Sequence, residues 1–265
     1  MWNVLEKEWR VILSSPGNIL FVTVIPLLIT GQALLIIWLL SRLIGREALD
    51  AAMVQSALEN VAGPLPDLTV LPPLQQFVVL LLSQFNFFLL LVPAMIANVF
   101  ATLSIVEEKL TRSLEPLLAT PVRTWELLLG KALSGAIPAL LVTWLCGGVF
   151  LAGIVGLGWG SLLRFVLTPS WTITLFLLTP AVTALSFLIG VVGSSRARDV
   201  KSAQNMAVVV VLPVLVIIGL QVTGLVWFTP VLTLVLACGI LLLDAGLLRL
   251  AVRLFERETI VVRWR

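Results

Sequence analysis

Histidine and tyrosine are both missing from this chain of 265 residues, and charged residues make up only 12% of it. Without histidine there is no Ser-His nucleophile and base, no His-ligated haem and no His-containing zinc site. The phosphate-binding pattern GxxxxGK[ST] is also missing. Gly130-Lys131 is the one Gly-Lys pair, no glycine stands at the leading position, and Ala132 follows it. Cysteine occurs twice, at Cys146 and Cys238, both inside apolar runs, which suits small packing residues and implies no disulfide framework.

Charge is missing in long stretches. None occurs from Gly17 to Ser41, Leu68 to Val106, Ala132 to Leu163, Phe165 to Ser195 or Ser202 to Leu243, while 60% of the chain is hydrophobic. A membrane-spanning helix needs about 20 apolar residues, and in lipid the backbone must satisfy its own hydrogen bonds. The alternating short segments of a membrane β-barrel do not occur. The last run holds 42 residues, about 63 Å as a straight helix, twice the hydrocarbon thickness. It must turn, and Gln221-Val222-Thr223-Gly224 is the expected place. The fold expected is all-α and polytopic, with six spans at 18–40, 77–104, 132–157, 165–192, 204–222 and 225–248.

The net charge of +3 does not point to nucleic acid, because of where the cations fall. With the N-terminus inside, 14 Lys and Arg lie in cytoplasmic segments and three, Arg42, Arg46 and Arg164, lie outside. That asymmetry places both termini in the cytoplasm. Trp38, Trp159, Trp171 and Trp227 then fall near outer span ends, where indoles favour the interface. The first 17 residues are too charged, and the run after them too long, for a cleaved signal peptide.

Between the spans, three segments stand out. Residues 1–17 contain Trp2, Leu5, Trp9 and Ile12 at helical spacing among charges, an amphipathic helix suited to the membrane surface. Residues 42–76 form an outer loop, helix-forming from Arg46 to Ala62 and then broken by prolines; it either caps an outer mouth or is simply a folded loop. Residues 105–131 are cytoplasmic, too charged to span and too apolar for a linker. Leu110, Leu114, Leu117 and Leu118 form a stripe, Thr120-Pro121 breaks it, and Thr124 starts a helix running into the third span. The last cytoplasmic piece is the tail, 249–265.

Within the spans, Pro26, Pro93, Pro138, Pro180 and Pro213 are expected to kink their helices. Asp244 is the one acid inside a span, near Arg249, and reads as a rim acid that pairs with an arginine or reaches the headgroups. So few intramembrane charges argue against proton coupling. Ser83, Asn86 and Asn98 share a face of the second span, and Thr179 and Thr183 a face of the fourth. They serve either helix packing and a subunit interface or a substrate path.

At residues 107–131 the chain resembles the type-2 permease family of ATP-binding-cassette (ABC) transporters. The resemblance lies in Glu107-Glu108, Arg112 to Glu115, Leu117-Leu118, Thr120-Pro121, Glu126-Leu127 and Gly130-Lys131. Thr111-Arg112-Ser113 stands where that family often has a basic residue before glycine. The resemblance implies a membrane subunit in the prokaryotic inner membrane, paired with a second permease chain and with a separate ABC ATPase that holds ATP-Mg, this chain holding no cofactor. It implies that the loop at 107–131 is the coupling helix, with Glu107, Glu108, Leu110, Arg112, Leu114, Glu115, Leu117 and Pro121 against the ATPase, and that transport runs outward. The residues alone leave two other readings open, an ion-coupled carrier or channel and a non-transporting scaffold.

Overall fold

The computed structural model describes residues 17, 20–44, 55, 66–97, 100–101, 124–196, 211–221 and 226–254, and all element statements concern these. The amphipathic N-terminal segment, most of the outer loop, residues 107–121 and the tail beyond Leu254 lie outside them. No strand occurs among the described residues. The helices are α1 (Ile25–Leu43), α2 (Pro73–Phe88), α3 (Thr124–Gly156), α4 (Leu163–Val166), α5 (Pro169–Ile173), α6 (Thr179–Arg196), α7 (Val211–Gln221) and α8 (Pro230–Leu254).

Five stretches are long and apolar enough to cross a membrane: Val22–Leu43, Pro73–Ala97, Gly130–Gly156, Pro169–Val192 and Pro230–Val252. Their 22 to 27 residues extend about 33–40 Å as helices, matching the roughly 30 Å hydrocarbon layer with some tilt. At the fifth expected span, 204–222, the described residues form only the shorter α7, so five spans stand among them and not six. The chain is therefore an all-α, multi-pass membrane protein. The large apolar side chains of α1 and α8 that stay exposed, Leu28, Leu35, Val235 and Leu242 among them, face lipid or another membrane chain.

Proline shapes the spans. A π-helical turn, Leu20–Val24, precedes Ile25-Pro26, and a second, Thr174–Leu178, precedes Thr179-Pro180. Proline has no N–H and its ring crowds the carbonyl four residues back, so the preceding turn widens. In the second span the helix breaks into a turn at Leu89-Leu90, four residues before Pro93 removes the donor to Leu89. Within α3, Pro138 is accommodated without interrupting the helix.

The turn after α3 needs glycine. Gly158 has φ of 84°. Its N–H donates to Val155 (3.0 Å), and Trp159 N–H donates to Ile154 (3.0 Å), the paired bonds of a Schellman cap. Gly153 of α3 packs against Leu34 of α1, whose Cδ1 a Cβ at position 153 would push aside.

Three apolar clusters run along the bundle. One joins the first three spans, with Phe85 stacked on Phe150 at 3.9 Å between ring centroids. The second joins the second span to α6, α7 and α8 around Phe87, Leu178, Ile218 and Phe228. The third packs Ala97 and Ala101 with Phe187, Val191 and Ala251.

Candidate functional site

Two Thr-Pro pairs begin helices that frame a cluster of polar groups. Thr168 caps α5, its hydroxyl accepting Trp171 N–H at 3.4 Å with Pro169 in the first turn. Thr229 does the same for α8, accepting Leu232 N–H at 3.4 Å before Pro230. Threonine fills a cap that needs an oxygen, and proline follows where an N–H would go unused. Both pairs open onto a cavity of about 120 Å³. Its far wall is α2, where Ser83, Asn86 and Phe87 share a face by their i, i+3, i+4 spacing, and its edge is Gln221 at the end of α7.

Most polar groups here are used by the fold. Ser170 Oγ donates to the Phe228 carbonyl (3.0 Å), and Phe228 N–H donates to Gln221 Oε1 (3.2 Å), tying the entry of α8 to α5 and α7. Ser83 Oγ donates to Leu80 (2.8 Å). Asn86 Nδ2 donates to Thr174 Oγ1 (3.1 Å). Of the groups lining this cavity, two buried ones have no hydrogen-bond partner among the described residues: Asn86 Oδ1, an acceptor, and Trp171 Nε1, a donor. Native interiors rarely leave such groups unmatched, so they are met by water or by a ligand. Phe87, Phe165, Trp171, Trp227 and Phe228 supply aromatic walls, and no charged residue among the described ones lines the space. Such a cavity suits an uncharged ligand portion carrying a hydroxyl or an amide.

The predicted pathway residues separate. Ser83 and Asn86 line the cavity. Thr179 and Thr183 do not; they are fully buried, donating to the carbonyls of Thr174 (2.8 Å) and Thr179 (2.7 Å). Asn98 lies outside the described residues, as do Glu107, Glu108, Leu110, Arg112, Leu114, Glu115, Leu117 and Pro121. Trp171, Gln221 and Phe228 were not singled out for the site from sequence. Gln221, the lone amide near the middle of a 42-residue uncharged run, was the signal that could have found them.

Asp244 departs from its expected rim pairing. It is buried on α8, and neither carboxyl oxygen has a hydrogen-bond partner among the described residues. Arg249 is five positions on, off the i+3 and i+4 spacing that would bring the two side chains together. Among the described residues no group of three His, Cys, Asp or Glu could hold a metal ion.

The family model described as ABC-2 family transporter protein matches residues 2–243. No curated protein and no solved structure matches the chain.

Proposed function

The chain belongs to the ABC-2 transporter family and is a membrane subunit of an ABC transporter; we propose that it works as one half of a dimeric export pathway driven by ATP hydrolysis on a separate subunit. The family match over residues 2–243, covering nearly the whole chain, carries the reading. In this family the ATPase activity lies on another chain, which agrees with a sequence that has no phosphate-binding loop.

In this reading residues 105–131 face the cytosol and dock in a groove of the ATPase. Leu110, Leu114 and Leu117 offer the apolar contact, Pro121 ends the docking helix, and Glu107, Glu108, Arg112 and Glu115 give charge complementarity. Closure of the ATPase dimer around ATP-Mg turns this segment as a rigid body and re-packs the spans. Residues 1–17 lie beside it at the surface of a prokaryotic inner membrane, with both termini cytoplasmic. A second permease chain completes the pathway, and the cavity at Ser83 and Asn86 receives substrate.

Co-purification tests the docking and vesicle transport tests the drive. The full chain should bring down a phosphate-loop ATPase, and replacing Leu114 or Glu115 should weaken that capture. Unchanged capture without residues 107–120 would remove the docking assignment. Transport under an ion gradient in ATP-free vesicles would replace the ATP-driven reading by an ion-coupled carrier.

A further inference from the structure

A second cavity, of about 270 Å³, lies where one end of α1 meets the start of α2 and the turn after α3. Trp38, Arg42, Leu74, Gln75, Trp159 and Ser161 line it, and no carboxylate among the described residues does. We propose that this cavity seats the phosphate of an anionic ligand, which the membrane supplies as a phospholipid headgroup.

Three features converge on that chemistry. Arg42 sits over the Trp38 ring, 5.7 Å from its centroid, and no described residue forms an ion pair with it. The stacking orients the guanidinium, and no described carboxylate takes up the N–H fork that suits a planar or tetrahedral oxyanion. Next, the start of α2 contributes a donor. Pro73 has no N–H, and Gln75 and Gln76 both donate to the Pro72 carbonyl (2.8 and 3.0 Å), which leaves Leu74 N–H over at the positive end of a 16-residue helix. The depth also fits. α1 ends at Leu43, α2 begins at Pro73 and α3 ends at Gly156, so the cavity lies at the ends of three membrane-length helices, where the phosphates of a leaflet lie and where tryptophans cluster. Guanidinium groups and helix N-termini hold phosphate oxyanions by these interactions.

The test is native mass spectrometry of the full chain, delipidated in detergent and exposed to dioleoyl-phosphatidylglycerol, with uncharged dioleoylglycerol and inorganic phosphate as parallel arms. The expected result is retention of phosphatidylglycerol by the unaltered chain and not of dioleoylglycerol. Arg42→Gln lowers its affinity about fivefold or more, the scale of losing a charge-assisted hydrogen bond. Gln75→Glu, which places a carboxylate in the same cavity, does likewise. Arg164→Gln leaves binding unchanged, because that cation lies over Phe165 at 4.7 Å and outside the cavity. Arg42-dependent competition by inorganic phosphate would support the phosphate seat and make a soluble ion its second source. Binding of phosphatidylglycerol that neither variant alters, or equal binding of dioleoylglycerol, overturns the proposal.

Discussion

Trp144 donates its indole N–H to the Leu175 carbonyl at 3.1 Å, and the proline at position 180 explains why that carbonyl is available. The usual donor, Thr179 N–H, bonds Thr174 instead, and the next residue, Pro180, has no N–H. Leu175 would otherwise carry an orphaned carbonyl inside the membrane. Trp144→Phe keeps an aromatic ring beside Phe176, which the indole meets at 5.9 Å, and removes the donor together with the pyrrole half of the indole. Its expected cost is about 1–3 kcal/mol, read as a lower thermal midpoint of the detergent-solubilised chain. An unchanged midpoint would mean that the carbonyl finds another partner. Asp244→Leu should act in the opposite direction, raising that midpoint, because a buried carboxyl without a partner costs stability that an aliphatic side chain does not. Proline 180 was legible in the sequence as a kink. Its dependence on an indole 31 positions from Leu175 was not, since periodicity carries no information about which carbonyl a distant side chain reaches.

Among the elements, the apolar runs and the starts of the helices were legible to different degrees, for a physical reason. Run length and lack of charge report membrane thickness, so five spans could be read directly from composition, whereas the expected span at 204–222 is met among the described residues only by the shorter Val211–Gln221. Where a helix begins is decided by its cap. α2, α5 and α8 start at Pro73, Pro169 and Pro230, whereas hydropathy suggested starts at 77, 165 and 225. Each proline takes a first-turn position that needs no N–H, and the Thr-Pro pairs at α5 and α8 form the rim of the candidate cavity. Ser83 and Asn86 could be read as polar members of a span. That they meet Gln221 and Trp171 depends on packing among four elements. The π turn before Pro180 gives a further expectation. Pro180→Ala restores a donor and allows the turn to tighten, so Trp144→Phe should cost less in that background. A double-mutant cycle measures the coupling, expected at about 1 kcal/mol. Strict additivity would separate the indole bond from the proline.

At the scale of the whole molecule, the docking of an ATPase and the headgroup cavity place opposite demands on membrane sidedness. Residues 105–131 must face the side that holds ATP, while the start of α2 must face the other. The membrane-length helix Pro73–Ala97 lies between Gln75 and Arg112, and one crossing is enough to separate them. The proposed direction rests on the distribution of cations, 14 in one set of segments against three in the other, through the cost of translocating Lys and Arg. The chain suits a direct measurement, since its cysteines are few: Cys146 is buried and Cys238 exposed. In a Cys238→Ser background, single cysteines at Gln75 and at Arg112 should react with a membrane-impermeant maleimide from opposite sides, position 112 from the cytoplasmic face. Gln75 is exposed at the start of its helix, so failure to label there from outside would reflect orientation rather than burial. Labelling of both positions from one side would mean that Pro73–Ala97 does not cross, and neither the ATPase contact at Leu114 and Glu115 nor the charge asymmetry could then be kept.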